Sequence, residues 1–204
     1  MLRLRKDPIT ELLTILAFSI NVYLLTYDVS FATAFPAFLL LGGIVMNRYL
    51  YNRIPDDDVI DEEEGQEIFY FTMFALAGIG VGSLFISRAL YIFPASISGE
   101  VNLLMLGVVP LALLHAATMA ISEEYFFRGV FLQLFSVMGM GLSIAATTLI
   151  GVIYHLRVYG ASGQALLYVA VAWTVFGVVA WRTKRLSPLI LAHLINNVLS
   201  VIGI

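Results

Sequence analysis

Ile121-Ser122-Glu123-Glu124-Tyr125-Phe126-Phe127-Arg128-Gly129 sets two carboxylates and a guanidinium inside an apolar run from Val101 to Met140. Ionised side chains at membrane depth cost roughly 2.5 to 3.5 kcal/mol each on insertion scales, so three together face a protein interior and carry a function. On a helix, Glu124 and Arg128 are four residues apart and lie roughly 40° from each other around the axis, with the acid N-terminal to the base. These two are placed to pair. Glu123 points roughly 100° away from Glu124 and is left without a local partner. One carboxylate is therefore expected to be neutralised and the other available for chemistry. An ion pair that only joins helices is the plainer alternative, and the rest of the chain weighs against it.

The chain has 204 residues, 60% hydrophobic and 12% charged, with a mean hydropathy of +0.93. A soluble domain carries about 25% charge. The composition indicates a polytopic membrane protein, all-α, forming a single integral membrane domain over residues 1–204. Within it, residues 1–100 supply three accessory spans and an acidic loop, and 101–204 carry the motif-bearing core. The absence of cysteine rules out disulfides, thiolate metal sites and a cysteine nucleophile. Nothing basic and aromatic suggests nucleic acid. Met1 to Lys6 followed by Ile9–Tyr27 resembles a signal sequence, but the run is too long and no small-residue cleavage site follows, so an uncleaved anchor is expected.

About seven apolar spans can be drawn: Ile9–Tyr27, Phe31–Leu50, Ile68–Ile86, a long one within Val101–Phe135, Leu142–Tyr154, Gln164–Trp181 and Leu186–Ile204. Their unbroken apolarity argues for helices rather than alternating barrel strands. Arg3, Arg5, Lys6, Arg48, Arg53, Arg182, Lys184 and Arg185 then share one side, eight of the eleven basic residues. Arg88 and Arg157 fall opposite. The positive-inside rule places the N-terminus in the cytoplasm, and the expected setting is a multi-pass protein of a prokaryotic cell membrane. Asp56-Asp57-Asp58 and Asp61-Glu62-Glu63-Glu64 read as a solvated cytoplasmic connector, since blocks of like charge repel. The fourth span is irregular: a single helix from Val101 to Phe135 would be about 52 Å long, against a hydrocarbon core of roughly 30 Å. A helix starting at Pro110 would put Glu123 near mid-membrane; one starting at Val101 would put it near the cytoplasmic end.

Other polar residues lie on later spans. His155 ends or nearly ends the fifth. His193 and Asn197 share one face of the seventh. Polar groups on three membrane helices satisfy themselves most readily by meeting in one interior cavity. His115 lacks a motif partner and reads as a packing histidine. Glu123 can take a proton from water while His155 holds that water. His193 and Asn197 can donate hydrogen bonds to a developing oxyanion. That set describes amide hydrolysis without a covalent intermediate. Ser122 has no nucleophile-elbow setting. Zinc held by Glu123, His155 and His193 is the other way to activate water, but no His-Glu-x-x-His pair is present and an amide is a poor further ligand, so no cofactor is the favoured reading.

At these residues the chain resembles the CAAX-protease and bacteriocin-processing family of intramembrane endopeptidases. Glu123-Glu124-Tyr125-Phe126-Phe127-Arg128 matches its Glu-Glu-x-x-x-Arg motif, with Gly129 after it. His155 matches Phe-x-x-x-His, although Gly151 stands at the aromatic position. His193 and Asn197 match His-x-x-x-Asn. The resemblance covers about Val101 to Ile204. It implies Glu123 as the water-activating base partnered by His155, an oxyanion site at His193 and Asn197, and geometric support from Glu124 and Arg128. Tyr154, the aromatic that would stand in for the missing one, is expected to face elsewhere on its helix. The implied substrate is a membrane-associated protein or peptide, of which a prenylated CAAX protein is one class, met in the lipid bilayer. A non-proteolytic scaffold or immunity protein of the same fold, and a small transporter or proton relay, are the competing readings; the latter lacks repeat symmetry.

Overall fold

The computed structural model describes residues 2, 4, 7–27, 31–51, 62–85 and 109–202. Every regular element among them is helical: α1 (Pro8–Tyr27), α2 (Phe31–Tyr51), α3 (Glu62–Phe85), α4 (Val109–Glu123), α5 (Met140–Tyr159), α6 (Gly163–Thr183) and α7 (Ser187–Ile202). A π-helical stretch, Glu124–Leu132, runs straight on from α4 and is followed by the short turns Gln133–Phe135 and Ser136–Met138. Gly139, at φ 82°, breaks the run before α5 begins. Each helix covers one of the expected apolar spans. Two boundaries differ. α3 starts at Glu62, so Glu62–Glu64 belong to a helix rather than to the connector. α5 continues to Tyr159, which places His155 within the helix and brings Arg157 into it. Glu123 lies at the middle of the described helical run from Val109 to Phe135; the alternative starts of this span, at Val101 and at Pro110, turn on residues 101–108, outside the described ones. Asp56–Asp58, Asp61, Arg3, Arg5, Lys6, Arg53, Arg88 and the part of the fourth span before Val109 lie outside the described residues.

Local chemistry explains the helix starts. Thr10 donates through its backbone N and its Oγ1 to the two carboxylate oxygens of Asp7, each at 2.7 Å, so Asp7 caps α1 with Pro8 in the first turn. Ser162 caps α6 by accepting from the backbone N of Ala165.

α4 sits at the centre. It packs against α1, α2 and α7; the π stretch packs against α2 and α5; α5 pairs with α6, and α3 lies against α6 and α7. Leu2 N donates to Ser136 Oγ at 2.7 Å and Leu4 N to Gln133 Oε1 at 3.4 Å. The N-terminal segment therefore lies at the same end of the bundle as the close of the α4 run.

The distribution of side chains is inverted relative to a soluble domain. Glu124, Arg128 and Arg185 are fully or almost fully buried, while Ile15, Phe38, Val45, Phe69, Val137 and Leu149 are exposed. An apolar exterior around a polar centre is what a lipid surround rewards. Gly163–Thr183 is long and apolar enough to cross a membrane by itself, and shorter apolar stretches occupy most of α1, α2, α3, α5 and α7.

Candidate active site

The site is built around the π stretch. Residues five apart on an α-helix lie roughly 140° from each other, yet Phe126 and Phe131 meet edge to face with ring centroids 5.3 Å apart. The wider turn, with its i→i+5 bonding, brings them onto one face. α2 accommodates the change with a glycine: a Cβ at Gly43 would come within 3.2 Å of Tyr125 Cβ and 3.3 Å of its backbone. Side-chain bulk at Gly43 would push α2 away from the π stretch.

Glu124 and Arg128 have no exposed surface and pair at 3.0 Å, Nη1 to Oε1. The same Oε1 accepts from His193 Nδ1 at 2.9 Å. Arg128 Nη2 also donates to the main-chain carbonyl of Trp173 at 3.2 Å, and its Cζ lies 4.0 Å from the centroid of the Trp173 ring. The expected ion pair is therefore present, and His193 and Trp173 extend it into a network.

Glu123 is almost as buried but differently served. Tyr154 donates its hydroxyl to Oε1 at 3.2 Å. Oε2 of both acids is buried without a hydrogen-bond partner; that of Glu123 lies 3.8 Å from His193 Nε2 and has no guanidinium on its carboxylate. The contact with Tyr154 corrects the expectation that this side chain faces elsewhere. It stacks on Phe35 at 6.0 Å and lies 5.2 Å from Phe127. An aromatic side chain is long enough to span the gap between α5 and α4 even though its Cα does not point straight at the acid.

His155 is also on α5. Its Nδ1 donates to the Gly151 carbonyl at 2.8 Å, which leaves the Nε2 lone pair as the open position of a neutral ring. Its ring stacks on Tyr159 at 5.7 Å and meets Trp173 edge to face at 5.5 Å. On α7, Asn197 Nδ2 donates to the Ala116 carbonyl of α4 at 3.2 Å. An amide nitrogen carries two protons, so one remains after this helix-to-helix tie. His115 is buried on α4, where its carbonyl accepts from Thr118 Oγ1 at 2.9 Å.

Gly151 occupies the position at which the motif has an aromatic residue, and Trp173 of α6 fills the space. A Cβ added at Gly151 would lie 2.1 Å from Trp173 Cε3 and 2.3 Å from Cδ2. Sequence reasoning missed Trp173. The available signal was the glycine itself, since a missing side chain facing a packed interior implies a large neighbour.

Among the described residues no three His, Cys, Asp or Glu side chains gather closely enough to hold a metal ion. His155 and His193 each direct Nδ1 to a protein acceptor, and a guanidinium already sits on the Glu124 oxygen nearest the histidine.

Residues 105–199 match the family model described as type II CAAX prenyl endopeptidase Rce1-like. This segment, just under half of the chain, is similar to that family. It takes in α4, the π stretch, α5, α6 and most of α7, together with every residue of the polar cluster described above. α1, α2 and α3 lie outside the matched segment, although α2 supplies the Gly43 contact and Phe35. No curated protein and no solved structure matches the chain.

Proposed function

We propose that the protein is an intramembrane endopeptidase that hydrolyses a peptide bond of a membrane-associated protein or peptide with water activated by Glu123. The observation that carries this reading is the buried Glu123 carboxylate, which Arg128 leaves to Glu124 and whose unpartnered Oε2 lies beside His193 within the matched segment. Tyr154 holds Oε1 and leaves Oε2 as the base. Water placed there is steered by the open Nε2 of His155, loses its proton to Oε2, and attacks the carbonyl carbon. The developing oxyanion is met by the second amide proton of Asn197 and, with His193 protonated on both ring nitrogens, by its Nε2–H, while Nδ1–H stays on Glu124. When the tetrahedral intermediate collapses, the C–N bond breaks and Glu123 returns the proton to the leaving nitrogen. Arg128 neutralises Glu124, and Glu124 in turn orients His193.

In this reading the seven helices cross the membrane of a prokaryotic cell, with the N-terminus in the cytoplasm. The bonds from Leu2 and Leu4 to residues at the close of the α4 run support it: both ends on one side require an even number of crossings between them. A prenylated CAAX-type protein is the substrate class we carry over from the family description. Zinc is not needed for any step.

The test compares membrane peptides released in the presence of the native protein and of Glu123→Ala. Peptides whose cleavage depends on Glu123 are expected. Identical peptide profiles, with both proteins folded, would refute proteolysis at this site, and proton or solute flux through reconstituted native protein would then favour a transporter.

A further inference from the structure

Trp173 touches both halves of the site. Its main-chain carbonyl and the face of its indole both engage Arg128, which leads through Glu124 to His193. The edge of the same indole meets the His155 ring at 5.5 Å, and Phe127 packs against it at 4.4 Å. The indole can be there only because position 151 has no side chain: even a methyl group would overlap it at 2.1 Å. Position 151 also supplies the carbonyl that fixes His155 Nδ1. Gly151 is thus a notch that seats Trp173 and an anchor that sets the imidazole tautomer.

We propose that Trp173 is a positioning residue for hydrolysis, holding His155 at a fixed angle to the Glu123–Glu124 pair, and that Gly151 is the notch it requires. The inference rests on the assignment of Glu123 and His155 to the reaction. A single hydrogen bond to Gly151 leaves an imidazole free to swing about that bond. The near-perpendicular contact with the indole and the Tyr159 stack remove that freedom. Trp173 touches no reacting atom, so its effect reaches the chemistry through His155 and Arg128. A tryptophan that merely filled volume would change stability and leave turnover by the folded protein intact.

The experiment measures kcat and KM for a Glu123-dependent membrane peptide, with folding checked by thermal unfolding in detergent. Trp173→Ala is expected to lower kcat by about a hundredfold, the scale of an ångström-sized misplacement, with little change in KM. Trp173→Phe, which keeps a smaller ring in place, is expected to recover most of that loss. Gly151→Ala is expected to behave like Trp173→Ala, because its methyl evicts the indole. Gly151→Phe combined with Trp173→Ala returns an aromatic ring to the same space from α5, and is expected to regain at least about tenfold over Trp173→Ala, a non-additivity diagnostic of direct contact. Where Trp173→Ala does not fold, Trp173→Phe, Gly151→Ala and the double variant decide. Native kcat in folded Trp173→Ala or Gly151→Ala, or no recovery in the double variant, would overturn the positioning role while leaving Glu123 in place. Glu123→Gln, measured alongside, separates the two levels: if it cleaves normally, the assignment of the base fails first.

Discussion

The two walls of the site treat neighbouring carboxylates in opposite ways. On one, Glu124 is completely buried and its Oε1 accepts from both Arg128 and His193, while Arg128 is held in turn by the Trp173 carbonyl and ring. On the other, Glu123 is 4% exposed and takes one bond, from Tyr154, with Oε2 left unsatisfied. Burial does not distinguish the two acids, and each leaves its Oε2 without a donor; what differs is the company of Oε1, a guanidinium and an imidazole on Glu124 against a neutral phenol on Glu123. A carboxylate neutralised by a guanidinium is stabilised in place and is slow to exchange protons. A buried carboxylate without a cation costs free energy in the resting protein, more than the roughly 1 to 3 kcal/mol of an unpaired polar group, and is relieved by whatever polar molecule enters. Unequal charge compensation is therefore the physical basis for dividing the pair into a structural and a reacting member.

The sharpest way to break this comparison is to neutralise each acid in turn. Glu123→Gln is expected to fold normally and to lose turnover by at least about a hundredfold, the lower range for removing a general base; native turnover, measured on a Glu123-dependent peptide, would dissolve the distinction. Arg128→Met leaves Glu124 buried beside His193 without its guanidinium and is expected to cost about 3 to 5 kcal/mol of stability, read from thermal unfolding in detergent. Glu124→Gln keeps an oxygen acceptor but loses charge assistance. A stability loss of about 1.5 to 3 kcal/mol with a partial fall in turnover is expected; complete loss of turnover with normal stability would show the roles reversed. Away from both walls, Thr14 Oγ1 donates to Tyr125 Oη at 2.6 Å and ties α1 to the π stretch. Thr14→Val is expected to cost about 1 kcal/mol and leave cleavage unchanged. The smallest expected effect is that of chelators: turnover by purified protein is expected to stay level. Full inactivation restored by stoichiometric zinc, with about one metal per chain by elemental analysis, would replace the hydrogen-bonded scheme with a metal one.

Much of this contrast was legible from residue spacing. Four-residue separation on one helix places Arg128 against Glu124 whatever the tertiary context, and apolar span lengths located all seven helices among the described residues. Features that depend on contacts between helices were not legible. The π stretch arises where the aromatic run from Tyr125 to Phe131 packs against Gly43 of α2, a match that neither segment reveals alone. Tyr154 departs in angle from the Gly151 position, but the reach of a tyrosine ring outweighs that angle. Asn197 shares a face with His193 as expected, yet one of its protons is committed to Ala116, a partner 81 residues away in sequence. Gly151 read as a departure from the motif because the residue completing it stands on a different helix.

The placement of Glu124 and Arg128 on one helical run also bears on how such a protein is made. Helices enter a bilayer in the order of synthesis, and a lone ionised side chain is a barrier to each entry. Here the guanidinium and its carboxylate travel on the same segment, so much of their charge is cancelled before any neighbouring helix has arrived. His193 follows much later, on α7, and only then does Glu124 gain its second donor and Glu123 its imidazole neighbour. A half-made chain thus carries the acids in muted form, without the imidazole that completes the cluster.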